Sequence, residues 1–165
     1  MKYLLSILLA LSLQSTAFAH DHNLATFSIY QKGGVWLLKI DFTTSTMLES
    51  LDLEGKLSDY SDKEIKEAMI RYFKKNIDIK IDNWIDVVLD KGGIKYGSHS
   101  SEVIFLLKGF KEGWTSLNVE IKAFKENKKQ SNLIRVIDST GTYKAFLNSK
   151  NYFKKGFEKV TVESN

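Results

Sequence analysis

Short runs of alternating apolar and polar residues recur along most of the chain, and they constrain its fold more than any other feature of the sequence. The clearest are residues 24–31 and 35–42, which lie on either side of Gly33-Gly34. A period of two places alternate side chains on one face of a strand, and two such runs around a glycine turn predict a β-hairpin. We therefore expect a mainly β architecture.

Further strand-length stretches follow at residues 77–81, 117–123, 133–137, 143–147 and 157–162. Residues 84–89 and 101–108 are also expected to be strands, and the unbroken apolar run 103–107 predicts a strand buried on both faces. Between them, Lys91-Gly92-Gly93 is typical of a turn. Strands this short and evenly spaced are typical of a β-sandwich.

One segment has helical rather than strand periodicity. Ser61-Asp62-Lys63-Glu64 has the pattern of a capping box, in which the serine oxygen accepts a backbone N–H and the glutamate reaches back. The apolar residues that follow recur at helical spacing: Ile65, Ala68, Met69, Tyr72 and Phe73. The pattern predicts an amphipathic helix over about residues 61–75 that ends with Asn76 in a left-handed conformation.

A shorter helix is expected where Thr46 and Glu49 precede Leu51, with Met47 and Leu48 as further apolar residues. Combined with the strands, these elements predict a mainly β (α+β) fold. We expect an immunoglobulin-like antiparallel β-sandwich with one amphipathic helix.

The first residues have the pattern of a secretory signal peptide. Lys2 supplies the positive charge, residues 4–13 form an apolar run broken only by two serines, and Ala17-Phe18-Ala19 is a small-x-small cleavage site. The apolar run is too short to cross a bilayer, which needs about 20 residues. We therefore expect cleavage after Ala19, a single β-rich domain over residues 20–165, a periplasmic or secreted location, and no transmembrane segment after cleavage.

The composition limits the classes of partner. The chain contains no cysteine, so its stability has to come from its core rather than from disulfides. Its C-terminal third is basic, but the chain has only two arginines, Arg71 and Arg135. Arginine is the residue that favours bidentate phosphate recognition, so we expect a solvated lysine surface and no nucleic-acid partner.

The histidines provide the one metal-binding pattern. Cleavage after Ala19 would place His20 first and His22 third in the mature chain. A free amine, two backbone amides and a third-position imidazole form a square of nitrogen donors, which Cu(II) prefers. His20 could instead bind copper through its own amine and ring, with His22 or His99 completing the site. A short polar terminus without any metal role is the competing interpretation.

No catalytic signature is present in the sequence. Gly97-Ser98-His99 lacks the G-x-S-x-G pattern of a nucleophile elbow, and His99 is more typical of an exposed loop residue. Asp82, Asp86 and Asp90 recur every four residues, but β-branched neighbours favour a strand and turn over a helical carboxylate site.

The aromatic residues admit two interpretations, a sugar- or peptide-binding platform or core packing. They are Trp84, Tyr96, Trp114, Tyr143 and Tyr152. Aromatics at strand spacing are more often buried, so we expect these five to lie in the core.

Short motifs spread over nearly the whole chain after the predicted cleavage site carry a family resemblance. They are Ala19-His20, Thr26-Phe27-Ser28-Ile29, Ile40-Asp41-Phe42-Thr43-Thr44, Ile70-Arg71-Tyr72-Phe73-Lys74-Lys75-Asn76, residues 77–81 and 117–121, Lys129-Gln130-Ser131-Asn132-Leu133-Ile134, and Phe146-Leu147-Asn148. With them the chain resembles a family of small exported Bacteroidota proteins defined only as a domain of unknown function. Members more usually have His-Pro-Phe-Tyr where this chain has His20-Asp21-His22-Asn23. The resemblance implies a periplasmic or secreted β-sandwich-like domain and brings no activity.

Three functions follow from these observations. The leading expectation is an exported, non-catalytic binding module of the cell envelope, whose partner is an envelope protein or a surface component. The first alternative is a periplasmic copper-binding protein that uses His20 and His22. The second is a hydrolase with an unrecognised site, for which a cleft lined by Asp82, Asp86 or His99 would be the sign.

Overall fold

The computed structural model describes residues 24–51, 53 and 56–159, and over these residues the chain forms ten strands and two α-helices. The signal peptide predicted for residues 1–19 lies outside them. The strands are β1 (Leu24–Lys32), β2 (Val35–Thr43), β3 (Ile77–Ile81), β4 (Ile85–Asp86), β5 (Val88–Lys95), β6 (Ser100–Lys108), β7 (Ser116–Ile121), β8 (Ser131–Asp138), β9 (Gly141–Leu147) and β10 (Lys154–Glu158). The helices are α1 (Thr44–Ser50) and α2 (Asp62–Asn76).

The strands form a six-stranded sheet in the order β5-β6-β2-β1-β8-β9 and a four-stranded sheet in the order β10-β7-β3-β4. Strands β1 and β8 run parallel, and the other pairs of the described strands are antiparallel. The prediction of a mainly β, sandwich-like α+β fold is confirmed. The parallel pair was not predicted, and it joins residues as distant in sequence as Ser28 and Arg135.

The core lies between the inner faces of the two sheets, and helix α2 contributes its centre. Phe73 of α2 is fully buried, and its ring contacts four rings that lie outside the helix. The centroid of the Phe73 ring lies 6.4 Å from the ring centroid of Phe27, 5.3 Å from that of Phe42, 6.5 Å from that of Phe105 and 5.9 Å from that of Phe124. Helix α2 is therefore held against the inner face of the six-stranded sheet by aromatic packing.

Helix α2 begins as predicted and ends differently. The backbone N–H of Glu64 donates to Ser61 Oγ at 3.4 Å, and the backbone N–H of Ser61 donates to Glu64 Oε2 at 2.8 Å. The predicted left-handed exit at Asn76 is wrong. Asn76 remains helical and its side chain donates to the carbonyl of Tyr72 at 2.9 Å. Ile77 is already extended, so β3 follows without a connecting loop.

A hydrogen bond from the loop after β7 fixes the rotation of α2 about its axis. The backbone N–H of Phe124 donates to the hydroxyl of Tyr72 at 2.5 Å, and that hydroxyl donates to Glu126 at 3.3 Å. Burial raises the pKa of Tyr72 to about 12, so the hydroxyl keeps its proton for this second bond at neutral pH. With Tyr72 held on one side, the opposite side of the helix is directed towards β5.

Several local predictions are corrected by the structure. Helix α1 exists, but it begins at Thr44, ahead of the expected start. Strand β6 is not buried on both faces: its side chains alternate between buried and half-buried. Residues 84–89 are divided between β4 and β5, and the predicted turn at Lys91-Gly92-Gly93 lies inside β5, where the pairing with β6 shifts register.

The final strand begins at Lys154, earlier than expected, and residues 160–162 of the predicted strand lie outside the described residues. Among the helices of the described chain, none has the length and apolar character needed to cross a membrane.

Candidate functional site

A groove of about 640 Å³ runs between helix α2 and strand β5. Its volume lies in the range typical of ligand sites, about 300–1,000 Å³. Helix α2 contributes Asp62, Lys63, Lys66, Glu67, Ile70 and Arg71. Strand β5 contributes Gly92 and Ile94. The groove is therefore bounded on one side by a helix and on the other by the edge of a sheet.

Strand β5 is an edge strand, with β6 as its only neighbour among the described strands. In an antiparallel pair, alternate residues of such a strand direct their N–H and C=O groups away from the partner. Gly92 and Ile94 of this strand line the groove, so an extended chain that entered it would lie next to a strand at the edge of the sheet.

Gly92 permits the close approach of helix and strand. A Cβ atom at this position would lie 2.5 Å from Ile70 Cδ1 and 2.9 Å from Phe105 Cε1. Both distances are too short for real contacts, so a side chain here would displace Ile70 or the buried ring of Phe105. The half-buried side chains of Ile70 and Ile94 line the same groove, which therefore has an apolar floor.

The rim of the groove on the helix side is charged, and its side chains are exposed except for that of Lys66, which is half-buried. Glu67 lies 4.0 Å from Lys63 and 3.9 Å from Arg71, so the one carboxylate faces two cations. Lys66 lies between them in sequence on the same helix and also lines the groove. With Asp62 included, the lining carries three positive and two negative side chains. The net charge of this lining is +1, which favours an anionic ligand only weakly, and salt would weaken that attraction further.

The predicted metal ligands fall in different parts of the chain. His20 and His22 lie outside the described residues. His99 is exposed, and its carbonyl oxygen accepts the backbone N–H of Thr44 at 3.0 Å, just before β6 begins. Among the described residues, no three His, Cys, Asp or Glu side chains lie close enough together to hold a metal ion.

The three regularly spaced aspartates form separate contacts. Asp82 Oδ1 accepts the backbone N–H groups of Thr115 and Ser116, and these bonds hold the pKa of Asp82 below its usual value. Asp86 pairs with Lys80 at 2.9 Å and Asp90 pairs with Lys108 at 2.8 Å. Asp82, Asp86 and His99 are not among the described residues that line the groove.

The prediction that the five aromatic residues lie in the core is correct for some and wrong for others. Trp114 is fully buried and stacks edge-on against Tyr143, with centroids 5.3 Å apart. Tyr96 is half-buried against the core. Trp84 and Tyr152 are 75% and 79% exposed, so for these two the prediction fails. Both lie in turns, where alternation no longer determines which side chains are buried.

The chain matches no protein-family model, and no curated protein is significantly similar to it in sequence. The groove was not predicted from the sequence, although one sign of it was available. Gly92-Gly93 was interpreted as a turn, and a glycine pair within a strand also marks a bulge or a close approach of another element.

Proposed function

We propose that this protein is an exported, non-catalytic binding module of the cell envelope, and that the groove between α2 and β5 takes up an extended acidic segment of a partner protein. The observation that supports this most is the open edge of β5 directly beside an apolar floor. Strand addition of this type takes its affinity from main-chain hydrogen bonds and its specificity from alternate side chains.

The geometry of a sheet defines how such a segment would bind. A chain added to β5 would direct every second side chain towards the inner side of the six-stranded sheet. Those side chains would meet Ile70 and Ile94 in the groove, so apolar residues are favoured at alternate positions. Acidic residues near the helix would meet Lys63, Lys66 and Arg71.

The charges on β5 favour a foreign strand over a second copy of this chain. Lys91 and Lys95 are exposed on the strand, and edge lysines oppose pairing between identical strands. The same lysines would attract acidic side chains. These residues therefore protect the edge from self-association and leave it open to an anionic partner.

The first test uses a fluorescent synthetic peptide in which glutamate alternates with valine. We expect saturable binding to the protein, measured by fluorescence anisotropy. Lys66→Glu should raise the Kd about tenfold, because a favourable charge contact of up to ~1 kcal/mol at this half-buried side chain becomes a repulsion, and ~1.4 kcal/mol corresponds to a factor of ten.

Two controls separate groove binding from general charge attraction. Lys74→Glu makes the same charge change on the same helix at an exposed position that does not line the groove, so it should alter the Kd little. A peptide with alternate backbone amides N-methylated cannot form a ladder and should not bind. Equal binding of the methylated peptide, or equal effects of the two lysine variants, would contradict the proposal.

A second candidate function is Cu(II) binding at the predicted mature N-terminus, and the position of His99 favours it. Strand β1 begins at Leu24, β2 ends at Thr43, and Thr43 pairs with Ser100 of β6. Because neighbouring strands lie ~4.8 Å apart, the start of β1 and the start of β6 are about 10 Å apart across β2. The four residues from His20 to Asn23 can span ~13 Å, so a terminal imidazole can reach His99.

Copper titration of the natively exported protein tests this candidate, with mass spectrometry confirming that the chain begins at His20. We expect submicromolar one-to-one binding with a square-planar absorption band that is lost in His22→Ala. A further change of the band in His99→Ala would place that residue in the coordination sphere. Weak binding, or a mature chain that begins elsewhere, would remove copper binding from consideration.

A further inference from the structure

Seven exposed lysines lie at one end of the domain, where three connections between elements meet. The last turn of α2 leads directly into β3, residues 122–130 join β7 to β8, and residues 148–153 join β9 to β10. We call these seven side chains the lysine cluster: Lys74, Lys75, Lys122, Lys125, Lys128, Lys129 and Lys150. Residues distant in sequence therefore form one basic surface.

Backbone hydrogen bonds hold the three connections together. The N–H of Lys122 donates to the carbonyl of Asn76 at 2.8 Å, which joins the end of α2 to the β7–β8 loop. The N–H of Ile121 donates to the carbonyl of Phe153 at 2.9 Å, which joins the end of β7 to the β9–β10 connection. The lysine cluster is therefore a feature of the folded domain rather than of separate loops.

Few carboxylates offset the lysine cluster. Glu126 is the one carboxylate in the three connections, all of whose residues the structure describes. Glu120 of β7 lies 2.6 Å from Lys122, and the other six lysines form no ion pair with a carboxylate of the described residues. The neighbouring elements add one more lysine and three carboxylates: Lys154, Glu49, Asp78 and Glu120. This end of the domain therefore has an excess of positive charge, whereas the opposite end of α2 begins with Asp62 and Glu64.

The absence of arginine from the cluster favours an anionic surface over a ligand of fixed geometry. Neither Arg71 nor Arg135 belongs to the three connections. Arginine has a planar fork that binds one phosphate or carboxylate through two hydrogen bonds, whereas the lysine ammonium acts as a point charge. A fluid surface of anionic headgroups can arrange its charges around the lysines. Clusters of about four to eight basic side chains are typical of proteins that bind such surfaces.

Two further features of this end fit a membrane surface. Tyr152, which is 79% exposed, lies within the β9–β10 connection, and tyrosine is enriched at membrane–water interfaces because its ring is apolar and its hydroxyl polar. The chain also enters β1 at this end, since Leu24 pairs with Ser131 just after the β7–β8 loop. A segment before Leu24 that is held in a membrane during export would bring the lysine cluster to the surface of that membrane.

From this arrangement we propose that the end of the domain with the lysine cluster docks on a membrane surface that carries anionic phospholipids. The ammonium groups lie against lipid phosphates, and the ring of Tyr152 lies at the level of the headgroups. This contact goes beyond the peptide groove and does not depend on it. It would let one domain bind a membrane and a protein partner at the same time.

Co-sedimentation of the natively exported protein with vesicles tests this proposal. We expect saturable binding to vesicles of about two parts phosphatidylcholine to one part phosphatidylglycerol, no binding to phosphatidylcholine alone, and loss of binding in high salt. Lys128→Gln combined with Lys129→Gln should weaken binding about thirtyfold. Each lysine at an anionic surface contributes ~1 kcal/mol, and ~1.4 kcal/mol corresponds to a factor of ten.

Tyr152→Asn tests the position of the ring. Tyr152 is in the left-handed conformation, which asparagine tolerates, so this change removes the ring without straining the backbone. It should weaken binding to the mixed vesicles and leave the salt dependence unchanged. If it has no effect, the part of the proposal that places the ring among the headgroups is wrong.

Lys32→Gln combined with Lys111→Gln is the matched control, because it removes two exposed lysines from the opposite end of the domain. It should leave vesicle binding nearly unchanged. Equal losses in the two double variants would show general charge attraction and would overturn the proposal. So would binding to soluble polyglutamate without binding to the vesicles, which would assign the lysine cluster to an acidic polymer. None of the exchanged residues lines the groove, so these results do not bear on peptide binding.

Discussion

Replacing Phe73 by alanine should lower the free energy of unfolding by about 3–5 kcal/mol. Small domains are stable by about 5–15 kcal/mol, so this single change would remove a large share of the total. The ring is fully buried and contacts rings from β1, β2, β6 and the loop after β7. Because four separate elements border it, they cannot all move inward to close the cavity. Urea unfolding followed by circular dichroism measures the loss.

Phe146→Ala provides the matched control for this prediction. It makes the same chemical change on β9, at a side chain that is 58% exposed, and surface changes usually alter stability by about 0.5 kcal/mol or less. Phe73→Leu, which keeps much of the buried volume, should fall between the two. If Phe73→Ala costs no more than Phe146→Ala, helix α2 is not docked through this ring.

The β1–β2 hairpin and helix α2 could be predicted because the signals that specify them are local. The hairpin needs only alternation around Gly33-Gly34, and the start of α2 needs only Ser61 and Glu64 three residues apart. Each of these signals acts within a few residues and needs no distant partner. The hairpin and the start of α2 form as predicted.

The candidate groove could not be predicted, because residues distant in sequence create it. Gly92 can be assigned to a strand rather than to a turn only when the positions of Ile70 in α2 and Phe105 in β6 are known. These two side chains lie so close to Gly92 that a side chain there would not fit. Alternation within residues 88–95 is interrupted by the glycines, and the sequence alone does not distinguish a turn from a bulged edge strand. The parallel pairing of β1 with β8 could not be predicted either, because it also joins residues that are distant in sequence.

Trp84 and Trp114 show that the burial of a single residue can also be impossible to predict from the sequence alone. Both were expected in the core on composition and spacing, yet one is exposed and the other fully buried. Burial of Trp114 follows from its contact with Tyr143 of β9 and from Lys159, whose ammonium lies 4.4 Å from the centre of the indole ring. These contacts depend on how the two sheets meet, which periodicity does not specify.

Lys159 also takes part in the second large effect that we expect. Asp138→Ala should destabilise the fold by about 3 kcal/mol, the lower end of the cost of breaking a buried ion pair. Asp138 Oδ2 lies 2.6 Å from Lys159 Nζ, and the Asp138 side chain has no accessible surface. Its Oδ1 accepts the backbone N–H of Thr140 at 2.8 Å and that of Gly141 at 3.2 Å. The lower end applies because Lys159 keeps 16% exposure and can turn towards solvent.

The pH dependence of stability identifies the ion pair as the source of this effect. Burial alone would raise the pKa of Asp138, but the hydrogen bonds from Lys159 and Thr140 outweigh it, and the pKa lies below its usual value. A lowered folded-state pKa stabilises the fold at any pH above the unfolded value of about 3.9, and this contribution fades as the pH falls through the folded value. The difference between the wild type and Asp138→Ala should therefore be constant near neutral pH and narrow below about pH 4.

Asp138→Asn distinguishes the contribution of the ion pair from that of the hydrogen bonds in the turn. Asparagine still offers an oxygen to the backbone N–H groups of Thr140 and Gly141, but it offers no charge to Lys159. In urea titrations at neutral pH it should fall between the wild type and Asp138→Ala. A gap between wild type and Asp138→Asn that persists unchanged in acid would show that the charge is not the cause. Because Lys159 follows β10 and Asp138 ends β8, a gap that closes in acid would show that this pair ties the four-stranded sheet to the six-stranded one.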